Sequence, residues 1–343
     1  MNGRLVQASV YGIAGTALFL LLASGFLLAI GRPPFVTLVT MAGYAFGDGY
    51  SISESLVKAT PILLCAFAVI LPARLGLISV GGEGQLYLGA LAGTAIVVAY
   101  PGGPVFALLP AMLTLGAAGG AIWGGLAGVL RARFDVNETI STLLLNYVAV
   151  LLVNYAVYGA WKDPASLGWP ATIQFPPAAT VPSLLGTRVH LGFIVALIAA
   201  FVLHVAVTHA RWGLELRILA GNRKVGAMVG LRFARNTLIV MALGGALAGF
   251  AGICETSAIQ GRLQSGLSVG YGLTGFLVAW LSGQHFLRAV PIAILVGGLI
   301  AAGDALQLYS KIPSASATVL QGLLFAAALA TSGLAARREA RRG

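Results

Sequence analysis

The side chains of this chain that could bind a solute are polar groups placed inside otherwise apolar segments. They are Glu83, Gln85, Asn146, Asn154, Glu255, Gln260, Asp304, Gln307 and Gln321. Carboxylates and amides without a cluster of cations suit a neutral solute bearing hydroxyl or amide groups better than a phosphate or a carboxylate. Each amide alone also fits a simpler role, as a hydrogen bond between two helices. These residues indicate reversible binding, since no nucleophile or metal set for catalysis can be assembled from the sequence.

A polar break interrupts the apolar sequence at residues 76–85, which read Gly-Leu-Ile-Ser-Val-Gly-Gly-Glu-Gly-Gln. A charge is costly in lipid, so Glu83 is expected to face protein, water or a functional cavity. Its glycine neighbours lack bulk, so the carboxylate can reach backbone N–H groups that the break exposes. Irregular backbone at membrane depth persists only where its polar groups are satisfied. The pattern indicates a transport protein, and the candidates for its translocation pathway are Glu83, Gln85, Asn146, Asn154 and Asp304.

The composition places the chain in a membrane. Of its 343 residues 58% are apolar and 9% are charged, with a mean hydropathy of +0.92, whereas soluble domains carry roughly 25% charged residues. The net charge of +11 does not indicate a nucleic-acid partner, because arginines and lysines lie in short connections between apolar runs. Cys65 and Cys254 lie in apolar runs and are expected to be core thiols. The sequence predicts a single transmembrane domain over residues 1–343, all-α and polytopic, in contact with membrane lipid.

Segments of roughly 20 apolar residues mark the predicted spans. Ten are found, at about 10–30, 57–73, 80–100, 104–130, 137–159, 190–209, 235–256, 271–287, 289–309 and 315–334. Residues 34–53 could form an interfacial or re-entrant piece, so about eight to ten transmembrane helices are expected, with a broken or re-entrant helix near 76–85. The first segment is long for a signal peptide and is expected to be a retained helix.

The basic residues orient these spans. With both termini in the cytoplasm, 15 of the 21 arginines and lysines fall inside and 6 fall outside, and the opposite orientation inverts this bias. Residues 160–189 then form an external loop, whose tryptophans and prolines suit an ordered cap. Residues 210–234 form a cytoplasmic loop, in which two short helical pieces flank a turn at Gly221 and Asn222. This basic amphipathic loop suits either a helix on the membrane surface or a docking helix for a partner.

Local patterns predict how some helices begin and pack. Asp135 is expected to cap a helix start, with Glu138 reaching back to it. Asn146 and Asn154 are eight residues apart and can share a broad inward face. Small residues at every fourth position let helices approach closely. They are Gly116, Gly120, Gly124 and Gly128. Internal packing is favoured for this face over a dimer seam.

Several kinds of chemistry have no support in the sequence. No phosphate-binding loop is present, since none of the four lysines follows a glycine, so ATP would have to be bound by another polypeptide. No metal motif, catalytic residue or cofactor site is predicted. Residues 266–270 and 270–275 match the nucleophile elbow and the dinucleotide fingerprint, but both motifs need a strand-turn-helix context. Their glycines instead indicate a loop entering a span.

Six stretches together carry a resemblance. They are 59–64 (Ala-Thr-Pro-Ile-Leu-Leu), the break with its Gly-Gly-Glu-Gly-Gln ending, 136–147, 158–164, 216–231 and 270–275. Over roughly residues 54–325 the chain resembles the permease subunits of bacterial ABC importers for nucleosides and simple sugars. The Asn-Glu-Thr-Ile-Ser-Thr run and the Trp-Lys-Asp-Pro loop are closer to the nucleoside branch than to ribose or branched-chain amino acid permeases.

The resemblance implies the partners. A second permease subunit, identical or homologous, would complete the path, an extracytoplasmic substrate-binding protein would deliver the solute, and a cytoplasmic ABC ATPase would hydrolyse ATP, so that the chain itself is not an enzyme. The location implied is the bacterial inner membrane. Loop 210–234 would be the coupling loop, with the ATPase meeting Arg217, Gly221, Asn222, Gly226, Ala227 and Gly230. Ser79 departs from the Asn usual in the family, and residues 220–223 read Ala-Gly-Asn-Arg in place of Gly-Glu-Asn-Pro.

Two alternatives stay open at this point. One is a permease of the same type for simple sugars or branched-chain amino acids. The other is a proton-coupled secondary transporter in which Glu83 or Asp304 carries the proton, a mechanism that needs no cytoplasmic docking loop.

Overall fold

The computed structural model describes residues 2–184, 186–313 and 315–340. Over these residues it consists of α-helices joined by loops, with two isolated β-bridges and no strand, which confirms the predicted all-α polytopic fold. The helices are α1 Asn2–Ala29, α2 Pro34–Phe46, α3 Gly49–Ala73, α4 Gly82–Ala99, α5 Val105–Phe134, α6 Glu138–Tyr158, α7 Leu191–Thr208, α8 Arg211–Gly221, α9 Arg223–Met228, α10 Phe233–Cys254, α11 Tyr271–Leu281, α12 Phe286–Ser310 and α13 Ala315–Ala340. A π-helical turn, Glu255–Gln260, continues α10.

Seven helices in the described part of the chain are long and apolar enough to cross a membrane. They lie at Gly12–Ala29, Gly49–Ala73, Val105–Phe134, Glu138–Tyr158, Leu191–Thr208, Phe233–Gln260 and Phe286–Ser310. The remaining three predicted spans correspond to α4, α11 and the apolar part of α13. Each predicted segment therefore overlaps a helix, and the count of eight to ten spans stays a prediction.

Two predicted boundaries are wrong. Helix α3 begins at Gly49 and not near residue 57, because Lys58 pairs with a carboxylate and does not end the helix. The segment predicted at 271–287 is divided, since α11 ends at Leu281 and α12 begins at Phe286. The turn between them contains Gly283 and Gln284 with φ of 62° and 60°. Left-handed backbone of this kind ends a helix.

The chain divides into two compact units, the first comprising Met1–Ala59 and Ile294–Gly343. In this unit α1 packs against α13 and α2. Its core consists of Ala23, Met41, Ala45, Ala302, Leu306, Ile312 and Leu320. An ion pair joins Lys58 Nζ of α3 to Asp304 Oδ2 of α12 at 3.1 Å. The two charges thus lie in apolar helices as a neutral pair.

The second unit, Thr60–Ala293, is built around α4, α5 and α10. Helices α5 and α10 cross at glycines: a Cβ added at Gly120 would overlap Gly245 O, and one added at Gly245 would overlap Gly120 O. A Cβ at Gly116 would lie 2.5 Å from Ile253 Cγ2, and one at Gly128 would lie 3.1 Å from Met241 Cβ. Contact of bare backbone replaces side-chain packing here, so larger residues at these positions would force the helices apart.

Residues 160–184 and 186–189 form a layer over the ends of helices in the second unit. Backbone of this segment pairs with residues 261–265, for example Thr172 N–H with Leu263 O at 2.9 Å. Phe175 and Val181 join a buried cluster with residues of α4, α5 and α10. The Ser257 hydroxyl of the π-turn donates to Ala179 O at 2.6 Å. Because its backbone is paired and its apolar side chains are buried, the segment is held as a cap on these helices.

Candidate functional site

The break begins where α3 ends. Gly76 has φ of +77°, a left-handed conformation that glycine adopts without steric cost. The Gly76 N–H donates to Ala73 O at 3.0 Å, and the Leu77 N–H donates to Pro72 O at 3.1 Å, which closes the last turn of the helix. Residues 77–80 then run without helical structure until α4 begins at Gly82. Their backbone groups need partners from other elements.

Helix α6 supplies most of these partners. Three of its side chains, spaced four residues apart, accept from the backbone of the break and of the first turn of α4: Ile78 N–H to Glu138 Oε1 at 3.1 Å, Val80 N–H to Thr142 Oγ1 at 3.1 Å, and Gly84 N–H to Asn146 Oδ1 at 2.8 Å. The spacing places all three on one face of the helix. We call this set the α6 row. Side chains of the α6 row accept hydrogen bonds from the extended backbone of the break, as the backbone of a neighbouring strand would do in a sheet.

Asn146 uses both ends of its amide. Its Nδ2 donates to Val80 O at 2.9 Å while its Oδ1 accepts from Gly84. The Thr139 hydroxyl adds a further bond to Ile78 O at 3.1 Å. The break is therefore held by donors and acceptors at the same time, which fixes its position along α6.

The helix start predicted at Asp135 and Glu138 is wrong in its details. Asn137 is the residue that caps α6, with its Oδ1 accepting from the N–H groups of Thr139 and Ile140. Asp135 has φ of 51° and ends α5. Glu138 does not reach back to the cap, because its carboxylate binds the Ile78 N–H and forms an ion pair with Arg131 Nε at 3.0 Å.

Glu83 lies in the first turn of α4 and caps a different helix. Its Oε2 accepts from the Gly272 N–H of α11 at 2.7 Å, whereas the sequence suggested N–H groups of the break itself. Ser268 accepts from the N–H groups of Gly270 and Tyr271 at 3.1 Å and 3.0 Å, and it also hydrogen-bonds the Glu83 carboxylate. The first N–H groups of a helix lack partners within it and carry partial positive charge, so a carboxylate there is stabilised.

The glycines of 270–275 permit this contact. A Cβ added at Gly272 would overlap the backbone of Glu83, and one added at Gly275 would lie 2.7 Å from Cys65 Cβ. Helix α11 therefore lies against α3 and α4 with almost no side chain between them. A loop precedes this helix, so the two chance motif matches lack the strand that their chemistry needs.

The other candidates for the pathway lie in different settings. Gln85 is buried, and its Oε1 has no hydrogen-bond partner among the described residues. The same holds for Asn154 Oδ1 and for the Trp123 Nε1 donor. Asp304 lies in the first unit and is engaged by Lys58. The structure thus brings Glu83, Gln85 and Asn146 together around the break and first turn of α4.

The loop over residues 210–234 has the predicted form of two short helices. Helix α8 ends and α9 begins at Asn222, whose side chain accepts from the N–H groups of Lys224 and Val225. Gly226 is buried, and a Cβ there would lie 2.5 Å from Leu219 Cδ2. Beyond it Ala227 and Met228 are exposed, Met228 to 86%. The pair of helices packs through one face and leaves its tip open.

A series of contacts runs from this loop to the break. The Arg223 guanidinium lies 3.9 Å from the centre of the Phe233 ring and 3.9 Å from Asp135 Oδ1. Arg131 pairs with Asp135 at 2.6 Å and with Glu138, which binds the Ile78 N–H. The exposed links at Asp135 are worth little alone, about 0–1 kcal/mol. The ion pair between Arg131 and Glu138 is stronger, because these two side chains are only 17% and 12% exposed.

A separate contact joins the same elements. Gly76 lies beside Ala220 of α8, such that an added Cβ would be 3.7 Å from Ala220 Cβ. The loop and the break are therefore neighbours through packing as well as through charge.

Some of these partners escaped the sequence analysis. Lys58 and Arg131 were counted only as loop charges. In the structure their role is decided by the ion pairs that they form with carboxylates on other helices. Ser268 gave one usable signal, since a serine a few residues before a helix is a common cap. No sequence spacing could indicate that Glu83 caps α11, because the two are 189 residues apart.

The helical bundle, the satisfied break and the two-helix loop define a polytopic membrane transport protein. Residues 51–329 match the family described as the permease component of branched-chain amino acid transport systems, and the chain belongs to this family.

Its relatives include permeases for other solutes. A glucose ABC transporter permease protein of Haloferax volcanii is 33% identical over 90% of this chain and 85% of its own length. A guanosine ABC transporter permease protein of Bacillus subtilis is 32% identical over 90% of this chain and 87% of its own length. A nucleoside ABC transporter permease protein of Lactococcus lactis is 25% identical over 82% and 78%. The predicted class, an ABC importer permease of the nucleoside and sugar type, is confirmed.

Proposed function

We propose that this permease takes up a neutral nucleoside or a related sugar-containing solute. The names of relatives that carry guanosine, nucleosides and glucose support this class. Neutral groups of the second unit support it too, since the acceptors Gln85 Oε1 and Asn154 Oδ1 and the donor Trp123 Nε1 are buried and unused among the described residues. Uncharged donors and acceptors match hydroxyl and amide groups. An anionic solute would find no counter-charge among these groups.

The energy in this proposal comes from a separate cytoplasmic ATPase that docks on the tip of α8 and α9. The observation that carries it is the series of contacts from Arg223 through Arg131 and Glu138 to Ile78. A movement imposed on the loop would pull on the backbone of the break through these contacts. Such a connection has no use in a protein whose loop is only a membrane anchor.

The mechanism proposed is alternating access without chemistry on the solute. ATP-driven closure of the ATPases moves α8 and α9, the break shifts against α6, and the solute enters from an extracytoplasmic binding protein. A second permease subunit, identical or homologous, forms the other wall of the path. Both termini lie in the cytoplasm and the chain in the bacterial inner membrane. Because the binding protein captures the solute, weak binding in the permease suffices.

The test is uptake into proteoliposomes that contain the permease subunits together with a cognate ATPase and a substrate-binding protein. We expect accumulation of labelled guanosine or glucose that needs ATP and all components, and no accumulation of labelled leucine. The matched control replaces ATP by ADP. Accumulation driven by a proton gradient without the ATPase would overturn the coupling proposal. Accumulation of leucine alone would overturn the solute class and leave the coupling intact.

A further inference from the structure

A pocket of about 410 Å³ in the second unit is lined by cationic and ionisable side chains that, apart from Arg217 of the coupling loop, the proposed transport mechanism does not use. They are Arg74, His204, Arg217, His285 and Arg288. They come from four places: the end of α3, the end of α7, the middle of α8 and the turn before α12 with its start. In the proposed orientation all four lie on the cytoplasmic side. The lining thus gathers at one depth three arginines that are far apart in sequence.

Their positive charge is not balanced among the residues that the structure describes. No carboxylate is among the described residues that line the pocket, and no ion pair of these arginines is found in that part of the chain. Burial lowers the pKa of Arg74, and the charge of Arg217 lowers it further. Burial also lowers the pKa of His285, followed by the charges of Arg288, Arg74 and His204. The charged forms of Arg74 and His285 are thus disfavoured by burial and by their positive neighbours, so an anion beside them would stabilise those forms.

Arg74 is held in place for such a contact. Its guanidinium donates to Gln284 O and lies 3.1 Å from His285 Nδ1. It also lies 6.0 Å from the centre of the Phe286 ring. Its Nε–H is buried without a hydrogen-bond partner among the described residues. A fixed guanidinium with an unused donor is the arrangement that binds phosphate oxygens.

The surface that leads to the pocket is apolar. Helix α7, with a mean hydropathy of 2.5, has the highest value among the seven candidate spans, and only 22% of it is buried. Its exposed residues follow the length of the helix: Leu197 and Phe201 at a spacing of four, and Ile198 and Val202 beside them. This stripe ends at His204 and Thr208 in the pocket wall. It provides a place for acyl chains directly beside the cations.

We propose that the pocket binds a phosphate-bearing anion, and that the apolar stripe of α7 makes the headgroup of an anionic phospholipid of the inner leaflet its natural occupant. A basic pocket between helices at the cytoplasmic surface suits such a headgroup. The arginines would bind the phosphate oxygens while the chains lie along α7. This site is separate from the break and does not rest on the proposed solute.

The experiment compares lipid and soluble phosphate as probes of the purified full chain. Dioleoyl-phosphatidylglycerol and dioleoyl-phosphatidylcholine are titrated in neutral detergent, and bound lipid is counted by native mass spectrometry. Inorganic phosphate is titrated in a second arm with the melting temperature as readout. The test variant combines Arg217→Gln and Arg288→Gln, which change two exposed side chains. Arg133→Gln, also exposed, is the matched control, and the Arg217→Lys with Arg288→Lys variant keeps the charge.

We expect the parent chain and the Arg133 control to retain phosphatidylglycerol over phosphatidylcholine. The double Gln variant should bind phosphatidylglycerol about 25-fold more weakly, because each arginine contributes about 1 kcal/mol or fivefold, and the double Lys variant should lose less. If inorganic phosphate binds with the same dependence on the arginines and phosphatidylglycerol does not, the pocket is a phosphate site and the phospholipid is rejected as its occupant. Equal binding by parent and double Gln variant, or binding of neither probe to the parent, would overturn the proposal.

Discussion

At the scale of single residues, Glu83 shows how a carboxylate in an apolar segment can serve as the cap of a neighbouring helix. Its Oε2 accepts from the Gly272 N–H at the start of α11, where the helix presents partial positive charge. The sequence correctly singled out Glu83 as a residue that must face protein or a cavity. It could not identify the partner, since the choice among N–H groups depends on which helices meet at the glycines.

We expect Glu83→Gln and Glu83→Ala to differ. The amide oxygen of Gln can still accept from Gly272, so this variant should fold and retain much of its transport. In Glu83→Ala the Gly272 N–H is left without a partner, which should destabilise the protein by about 1–3 kcal/mol. The measurements are the melting temperature of the purified permease and ATP-dependent uptake. A Glu83→Gln variant that is stable yet accumulates nothing would support proton coupling instead.

At the scale of elements, α6 was predicted as a helix and its role as a support was not. The spacing of Glu138, Thr142 and Asn146 is visible in the sequence and marks one face. What it binds depends on the extended backbone of 77–80 lying along that face, and no local pattern encodes this. Asn146 and Asn154 looked equivalent as residue types. In the structure Asn146 makes two hydrogen bonds to the break, and Asn154 Oδ1 has no partner among the described residues.

This difference gives a matched pair of variants on one helix. Asn146→Ala leaves the Gly84 N–H and the Val80 C=O unpaired. The free energy of unfolding should fall by at most about 1–2 kcal/mol for each of these two hydrogen bonds. Asn154→Ala removes no described hydrogen bond and should change the melting temperature little. Uptake separates the roles further, since Asn154→Ala would lower it if that side chain contacts solute. Equal destabilisation by the two substitutions would contradict the role assigned to the α6 row.

The loop of α8 and α9 contains both packing and exposed positions, and they should respond differently. Gly226 lies against Leu219, so Gly226→Ala should loosen the loop itself. Ala227 is exposed, so Ala227→Arg should leave the loop folded and disturb a docked ATPase. We expect Ala227→Arg to lower transport at least tenfold with unchanged insertion and melting temperature. If ATP hydrolysis by the assembled complex remains fully stimulated by the solute-loaded binding protein, α9 is not the docking surface.

At the scale of the whole molecule, apolar length predicted the helices well because each span must bury about the same thickness of bilayer. Apolar length failed to predict helix boundaries where a charge is paired inside the protein or where a short turn divides an apolar run. Lys58 looked like a boundary but is paired with Asp304 inside the first unit. The turn at 282–285 is short, and its left-handed residues Gly283 and Gln284 are not separated from the apolar runs by any charge. Pairing and local turn geometry, unlike bilayer thickness, are tertiary information.

The orientation of the chain is the last expectation open to a direct measurement. Two positions suit single cysteines: Leu167, fully exposed in the segment proposed to be external, and Lys224, exposed in the loop proposed to be cytoplasmic. Cys65 and Cys254 are both buried, so their background labelling should be low. In intact cells a membrane-impermeant maleimide should label Leu167→Cys and not Lys224→Cys, and permeabilised cells should label both. The inverse pattern would place the arginine-rich ends outside, against the charge bias that orients membrane helices, and would remove the ATPase from the side on which α8 and α9 could meet it.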